Sequence, residues 1–146
     1  MTKEVLLSIK GLQTDFVSKD SLEMITTGTY YHKNDKEYIN YIDNDLNKEK
    51  ETKTTIKISE DKVDLIRFGG VTTHMIFEVG KNHMTHYNTP LGALLIGIKT
   101  KDIQVSKADT HLSLKIKYTI DINNNFISEN TFELHAQNQQ DSKVKL

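Results

Sequence analysis

Arg67 stands two places after Leu65 in the stretch VDLIRFGGVTTHMIFEVGKNHMTHYNTPLG (residues 63–92), on a strand face that otherwise reads as core. A guanidinium keeps its proton at any working pH and carries five donors, so burying it unpaired costs several kcal/mol. Such a group does not transfer protons. Its chemistry is anchoring: it needs carbonyls, hydroxyls, an acid, water, or the carboxylate or phosphate of a ligand.

Whether Arg67 faces inward depends on hairpin register. A two-residue Gly69–Gly70 turn pairs Phe68 with Val71 and turns Arg67 outward. A three-residue loop from Gly69 to Val71 pairs Phe68 with Thr72 and sets Val63, Leu65 and Arg67 beside Phe77, Met75 and Thr73. The preceding stretch TTIKISEDKV decides for the second register, because its turn joins Ile56 and Ile58 to Val63, Leu65 and Arg67 and leaves Lys53 and Lys57 in water. Thr54, Thr73 and Tyr87 are then the nearest partners. A three-residue loop of Gly80, Lys81 and Asn82 would put Phe77 opposite Thr85 and Met75 opposite Tyr87. One face would then gather Met75, Phe77, Thr85, Tyr87 and Thr89.

Other constellations are weaker. His83 and His86 in HMTH are three apart, which puts them on opposite faces of a strand. His74, Glu78 and His86 could lie diagonally across one ladder, but diagonal neighbours sit roughly 7–8 Å apart, so a solvated sheet surface is the expectation and no metal site is assigned. His32, His111 and His135 show no ligand spacing. No serine lies in a nucleophile elbow, and Gly69–Gly70 precedes no helix that could cradle a phosphate. Tyr30, Tyr31, Tyr38 and Tyr41 could stack on bases, but no basic groove accompanies them. The expectation is a protein without catalysis, cofactor or nucleic-acid partner.

The 146 residues suit one domain large enough to fold without disulfides, and the chain has no cysteine. Nineteen basic against 20 acidic residues leave a net charge of −1, which argues against a phosphate-neutralising surface or a polybasic membrane anchor. The run in MTKEVLLSIKG is too short and charged for a signal peptide, and nowhere do about 20 apolar residues run uninterrupted. A cytoplasmic protein without membrane attachment is expected.

Period-two alternation rich in Ile, Thr, Tyr, Val and Phe dominates the chain. It predicts strands at Lys3–Gln13, Leu22–Lys33, Glu37–Asp43, Lys53–Ser59, Lys62–Phe68, Thr72–Val79, His83–Thr89, Leu91–Lys99, Ile103–Lys107, Thr110–Asn123 and Phe126–Ala136. In HLSLKIKYTIDI, one face carries Leu112, Leu114, Ile116, Tyr118, Ile120 and Ile122, and the other carries polar residues. VSKDSLEMI offers a helical turn or two, capped by Ser18 or Asp20. NDLNKEKETK has no apolar stripe and reads as a solvated hairpin loop. Pro90 falls at a strand start, where a missing donor costs least. Ten or so short antiparallel strands with almost no helix close up to limit their exposed edges. The fold class is all-β: a single closed antiparallel up-and-down β-barrel over residues 4–136, with a polar tail at 137–146.

TGTYYHKNDKEYINYID, TTIKIS, VDLIRFGG, MIFEVG and YNTPLGALLIGIKT, in that order, resemble the YwiB-like family of small uncharacterised bacterial proteins. The resemblance covers Glu4 to Glu133 and is carried by Arg67, Gly69, Met75, Phe77, Glu78, Gly80, Tyr87, Thr89 and Pro90. The chain departs at Leu91, where the family pattern has an aromatic residue. The resemblance implies a calycin-like barrel, related in architecture to lipocalins, and no particular activity.

Two readings of function follow. The first is a binding module holding a small amphipathic or anionic ligand at one barrel mouth, with Arg67 as anchor and Met75, Phe77, Tyr87 and Thr89 as walls. The second is an interaction protein with a filled interior that dimerises or docks a partner through an outer face such as Ile66, Ile76 and Met84.

Overall fold

Ten strands follow one another along the chain: β1 (Lys3–Thr14), β2 (Lys19–Lys33), β3 (Lys36–Asp43), β4 (Thr52–Ile58), β5 (Val63–Gly69), β6 (Thr73–Phe77), β7 (Asn82–Thr89), β8 (Gly92–Lys107), β9 (His111–Ile122) and β10 (Asn125–Asn138). The computed structural model describes residues 3–14, 19–43, 50–69, 72–89 and 92–139. The Ser18 cap, the Gly70–Val71 half of one hairpin, Pro90, Leu91, most of the NDLNKEKETK loop and most of the polar tail lie outside the described residues. No described helix is long and apolar enough to cross a membrane.

The strands form one antiparallel sheet in the order β6-β5-β4-β3-β2-β1-β10-β9-β8-β7. Its first and last strands in sequence pair from Val5↔Asn138 to Thr14↔Glu129, and this pairing curls the meander into a nearly closed barrel. The break falls in mid-sequence, between β6 and β7. There the expected Phe77–Thr85 hairpin is absent. Instead the chain turns over 78–81, with the Lys81 N–H donating to the Glu78 carbonyl at 3.0 Å. The Glu78 N–H donates to Thr100 Oγ1 at 3.2 Å and the Gly80 N–H to the Thr100 carbonyl at 3.4 Å, which tie the end of β6 to β8. Gly80 adopts φ 82° in this turn, a left-handed conformation open to glycine at little cost.

Two connections are tight hairpins. Asn34–Asp35 and Asn123–Asn124 both take positive φ at their two central residues, the primed turn whose twist suits paired strands and which Asn and Asp tolerate. Where helical turns were expected, Lys19 to Ile25 belongs to β2, and the β-branched run Ile25-Thr26-Thr27 continues it as strand. The two segments predicted at Leu91–Lys99 and Ile103–Lys107 are one strand, β8. Its register shifts between Thr100 and Asp102. The extra residue of this bulge switches parity, so Ile98 and Thr100 face the interior on one side of it and Ile103 on the other.

Alternate residues fill the interior. Leu7, Ile39, Ile56, Leu114, Ile116 and Leu134 are at most 1% exposed, each stabilising the fold by roughly 1.5–3 kcal/mol through burial. Gly28 lets β2 approach its neighbours: a Cβ there would lie 2.4 Å from the Asn40 carbonyl and 2.7 Å from Leu7 Cδ1.

Candidate functional site

The β4–β5–β6 ladder fixes the direction of Arg67. Ile58 pairs with Val63 and Thr54 with Arg67, while Val63 pairs with Phe77, Leu65 with Met75 and Arg67 with Thr73. This is the longer-loop register. Val63, Leu65 and Phe77 are buried, and Phe68, of opposite parity, is 71% exposed. Arg67 therefore projects inward, on the same face as Met75 and Phe77.

Its neighbours are hydroxyls. Thr54, fully buried, and Thr73 lie on the strands to either side, and Tyr41 pairs with Thr54 one strand further on. Burial raises the Tyr41 phenol above its ordinary pKa, an effect the Arg67 guanidinium partly offsets. Tyr118, across the barrel on β9, is raised by burial in the same way, again offset by Arg67. The Phe77 ring meets the Tyr118 ring edge-on at 4.8 Å. Arg67 Nε, Thr54 Oγ1 and Thr73 Oγ1 are all buried without a hydrogen-bond partner. Three unmet polar atoms on three adjacent strands form one row, where each would ordinarily be satisfied.

Of the five residues expected to make a site, the structure puts Arg67, Met75 and Phe77 on one inward face, with Met75 next along from the Arg67–Thr73 pair and Phe77 two residues beyond it. Tyr87 and Thr89 sit on β7 opposite Leu94 and Gly92, and the ladder that would have set Tyr87 against Met75 does not form. β6 is only five residues long and its chain continuation is held by Thr100, so β7 pairs with β8 alone. Thr54 and Thr73 follow from the register. Tyr41 and Tyr118 are the neighbours that sequence reasoning missed: Tyr118 comes from a strand distant in the chain, and the long connection between β3 and β4 leaves the register of Tyr41 open in the sequence. Their signal was parity: Tyr41 alternates with Glu37 and Ile39, and Tyr118 with Leu112, Leu114 and Ile116.

The same break separates the histidines. His74 pairs with Asp64 at 2.8 Å and His83 with Glu78 at 3.0 Å, and His86 is on the other side of the gap. Among the described residues no group of three or more His, Asp and Glu could hold a metal ion.

A second polar centre lies at the barrel end away from Arg67. Glu37 precedes Tyr41 by four residues on β3, about 13 Å at the rise of a strand. Glu37 is buried, its side chain 11% exposed, and its carboxylate accepts from the Tyr30 hydroxyl at 3.0 Å, meets His32 Nδ1 at 2.7 Å and pairs with the Lys107 ammonium. Burial alone would raise the Glu37 carboxyl, but hydrogen bonds from Lys107, His32 and Tyr30 outweigh it and hold it below its ordinary value. The same hydrogen bond raises Lys107, while burial, then the bond to Glu37, raises Tyr30. Lys107 ends β8 and Glu37 begins β3, five strands apart around the sheet, so this ion pair straps the barrel end across its width. Beside the strap opens a cavity of about 630 Å³, lined among others by Val5, Tyr30, Leu112 and Ala136.

A ten-stranded antiparallel barrel, nearly closed, with a lone inward guanidinium and a strapped mouth defines the class. The chain belongs to the family described as Domain of unknown function (DUF1934), which it matches over residues 7–134. It is 30% identical over 119 residues to the "Uncharacterized beta-barrel protein YwiB" of Bacillus subtilis (strain 168), covering 81% of this chain and 82% of that one. The crystal structure of the YwiB protein from Bacillus subtilis superposes with a TM-score of 0.81 at 26% identity, covering 94% of this chain and 92% of the other.

Proposed function

We propose that this barrel is a small-ligand-binding protein without catalysis, and that Arg67 anchors the anionic group of its ligand. The observation that carries the reading is the row of Arg67 Nε, Thr54 Oγ1 and Thr73 Oγ1, each buried and unpartnered. A carboxylate or phosphate group has the charge and the acceptor oxygens to complete all three, and guanidinium is the side chain best suited to both. Met75 and Phe77 would wall the apolar part of the ligand; Tyr87 and Thr89 contribute at most as positions on the neighbouring β7. A permanently protonated guanidinium among hydroxyls offers anchoring and no proton transfer, which favours binding over catalysis. The competing reading, docking through Ile66, Ile76 and Met84, draws less support. The first two are half-buried, and Met84 lies across the break on β7 with its sulfur over Gly97.

The test is thermal unfolding in inorganic phosphate against chloride at equal ionic strength. Phosphate stabilises folded proteins in general, so the comparison is between the native chain and Arg67→Met. A bound anion at a few times its Kd should raise the native Tm by about 3 °C more than that of Arg67→Met. Equal shifts in the two proteins reject Arg67 as the anchor. Native mass spectrometry of protein from its own host should also show extra mass that Arg67→Met loses.

A further inference from the structure

The cavity at the strapped mouth rests on different residues from the Arg67 site and lies at the other end of the barrel. Its floor is apolar: Val5, Leu112 and Ala136 are each no more than 4% exposed. Its lining also includes Lys3, Lys107 and His111. Glu37 does not compete for an incoming anion's partners, because both of its oxygens are already occupied by Tyr30, His32 and Lys107. Lys107 gives one of its three protons to Glu37 and meets the Tyr30 hydroxyl with a second, which leaves one. The exposed Lys3 ammonium and His111 ring have no side-chain partner among the described residues. A dry floor under a rim with free donors on Lys3, His111 and Lys107 is complementary to an amphipathic anion, and about 630 Å³ falls within the range of roughly 300–1,000 Å³ typical of small-molecule sites.

We infer that this mouth is a second binding site, for a small amphipathic carboxylate whose apolar body rests on Val5, Leu112 and Ala136 and whose carboxylate meets Lys3 and Lys107. The strap sets one wall of the site: by holding Lys107 at the mouth, Glu37 keeps the ammonium's remaining proton beside the cavity. Asp109 is the one acid in the lining; with Glu37 it balances the charge of the two lysines, so the rim offers an anion unpaired donors rather than a net positive field.

The probe is octanoate, with octan-1-ol as the uncharged control of equal chain length, titrated into isotopically labelled protein and followed by amide chemical shifts. Octanoate should give saturable shifts at Val5, Leu112 and Ala136, with octanol binding more weakly. Lys3→Glu, a change at an exposed position, should weaken octanoate roughly five- to tenfold and leave octanol unchanged. Three results would each overturn the inference: no saturable shifts up to about 10 mM, equal affinity for octanol, or shifts confined to β4, β5 and β6. The last would leave the Arg67 reading standing and remove this one. Phosphate stabilisation lost in Arg67→Met, with octanoate shifts absent, would separate the two sites in the same way.

Discussion

An arginine inside a barrel is costly unless its donors are met, and Arg67 has its Nε unmet beside two unmet threonine hydroxyls. If this row serves an anion rather than the fold, removing one hydroxyl should cost the empty protein nothing. Thr73→Val, which keeps shape and deletes a partnerless hydroxyl, should leave stability in denaturant unchanged or raise it by about 1 kcal/mol, while weakening phosphate binding. A loss of stability comparable to a core truncation would mean that the hydroxyl is already satisfied. Glu37 gives the opposite case, a buried acid fully engaged. Its folded-state pKa is depressed, so its contribution is present above its unfolded pKa of about 4.3 and is lost as pH falls through the folded value. The native chain should lose stability more steeply than Glu37→Gln below about pH 5 in pH-dependent denaturation; identical acid limbs would show the strap to be energetically idle. Lys107 adds a matching loss on the alkaline side, because its pKa is raised and its contribution fades as pH climbs through that value. At this scale Arg67 was legible, since the parity of Ile56, Ile58, Val63 and Leu65 leaves it one direction. Glu37 was only half legible: Tyr30 and His32 share its hairpin, but Lys107 reaches it only when the sheet curls.

Strands carry these residues, and the sequence pattern located them well wherever alternation ran unbroken. β9 reads directly as a dry face and a wet face, and Leu112, Leu114 and Ile116 are all buried. The pattern failed where a bulge or a missing ladder intervened. The shift at Thr100/Asp102 divided β8 into two apparent strands, and the second shift, between Phe126 and Ser128 on β10, is equally silent in composition. Hairpin arithmetic assumed that neighbours in sequence are neighbours in the sheet, which fails only at β6 and β7. That break makes a prediction for the elements. Amides of β6 and β7 on the unpaired edges should exchange with solvent faster than those of β1, β9 and β10, as measured by native-state hydrogen exchange; uniform protection would mean that the seam is closed by a ladder. Gly28 tests the close approach of β2 and β3. Gly28→Ala forces a Cβ against the Asn40 carbonyl and Leu7, and should cost about 1–3 kcal/mol in chemical denaturation.

For the molecule as a whole, pairing of β1 with β10 makes a container with two unlike ends, one presenting the Arg67 row and the other the Glu37 strap. A closed barrel of about this size can be solid or enclose one small ligand, and the family resemblance is silent on which. The deciding property is the state of one guanidinium. Arg67 is the one arginine of the 146 residues, so its Nε–Hε pair gives a single magnetic resonance signal that needs no assignment. The account predicts a dispersed signal, slow to exchange with water, that moves saturably as phosphate is added. A signal at the position of a solvated arginine, exchanging fast and indifferent to phosphate, would contradict it.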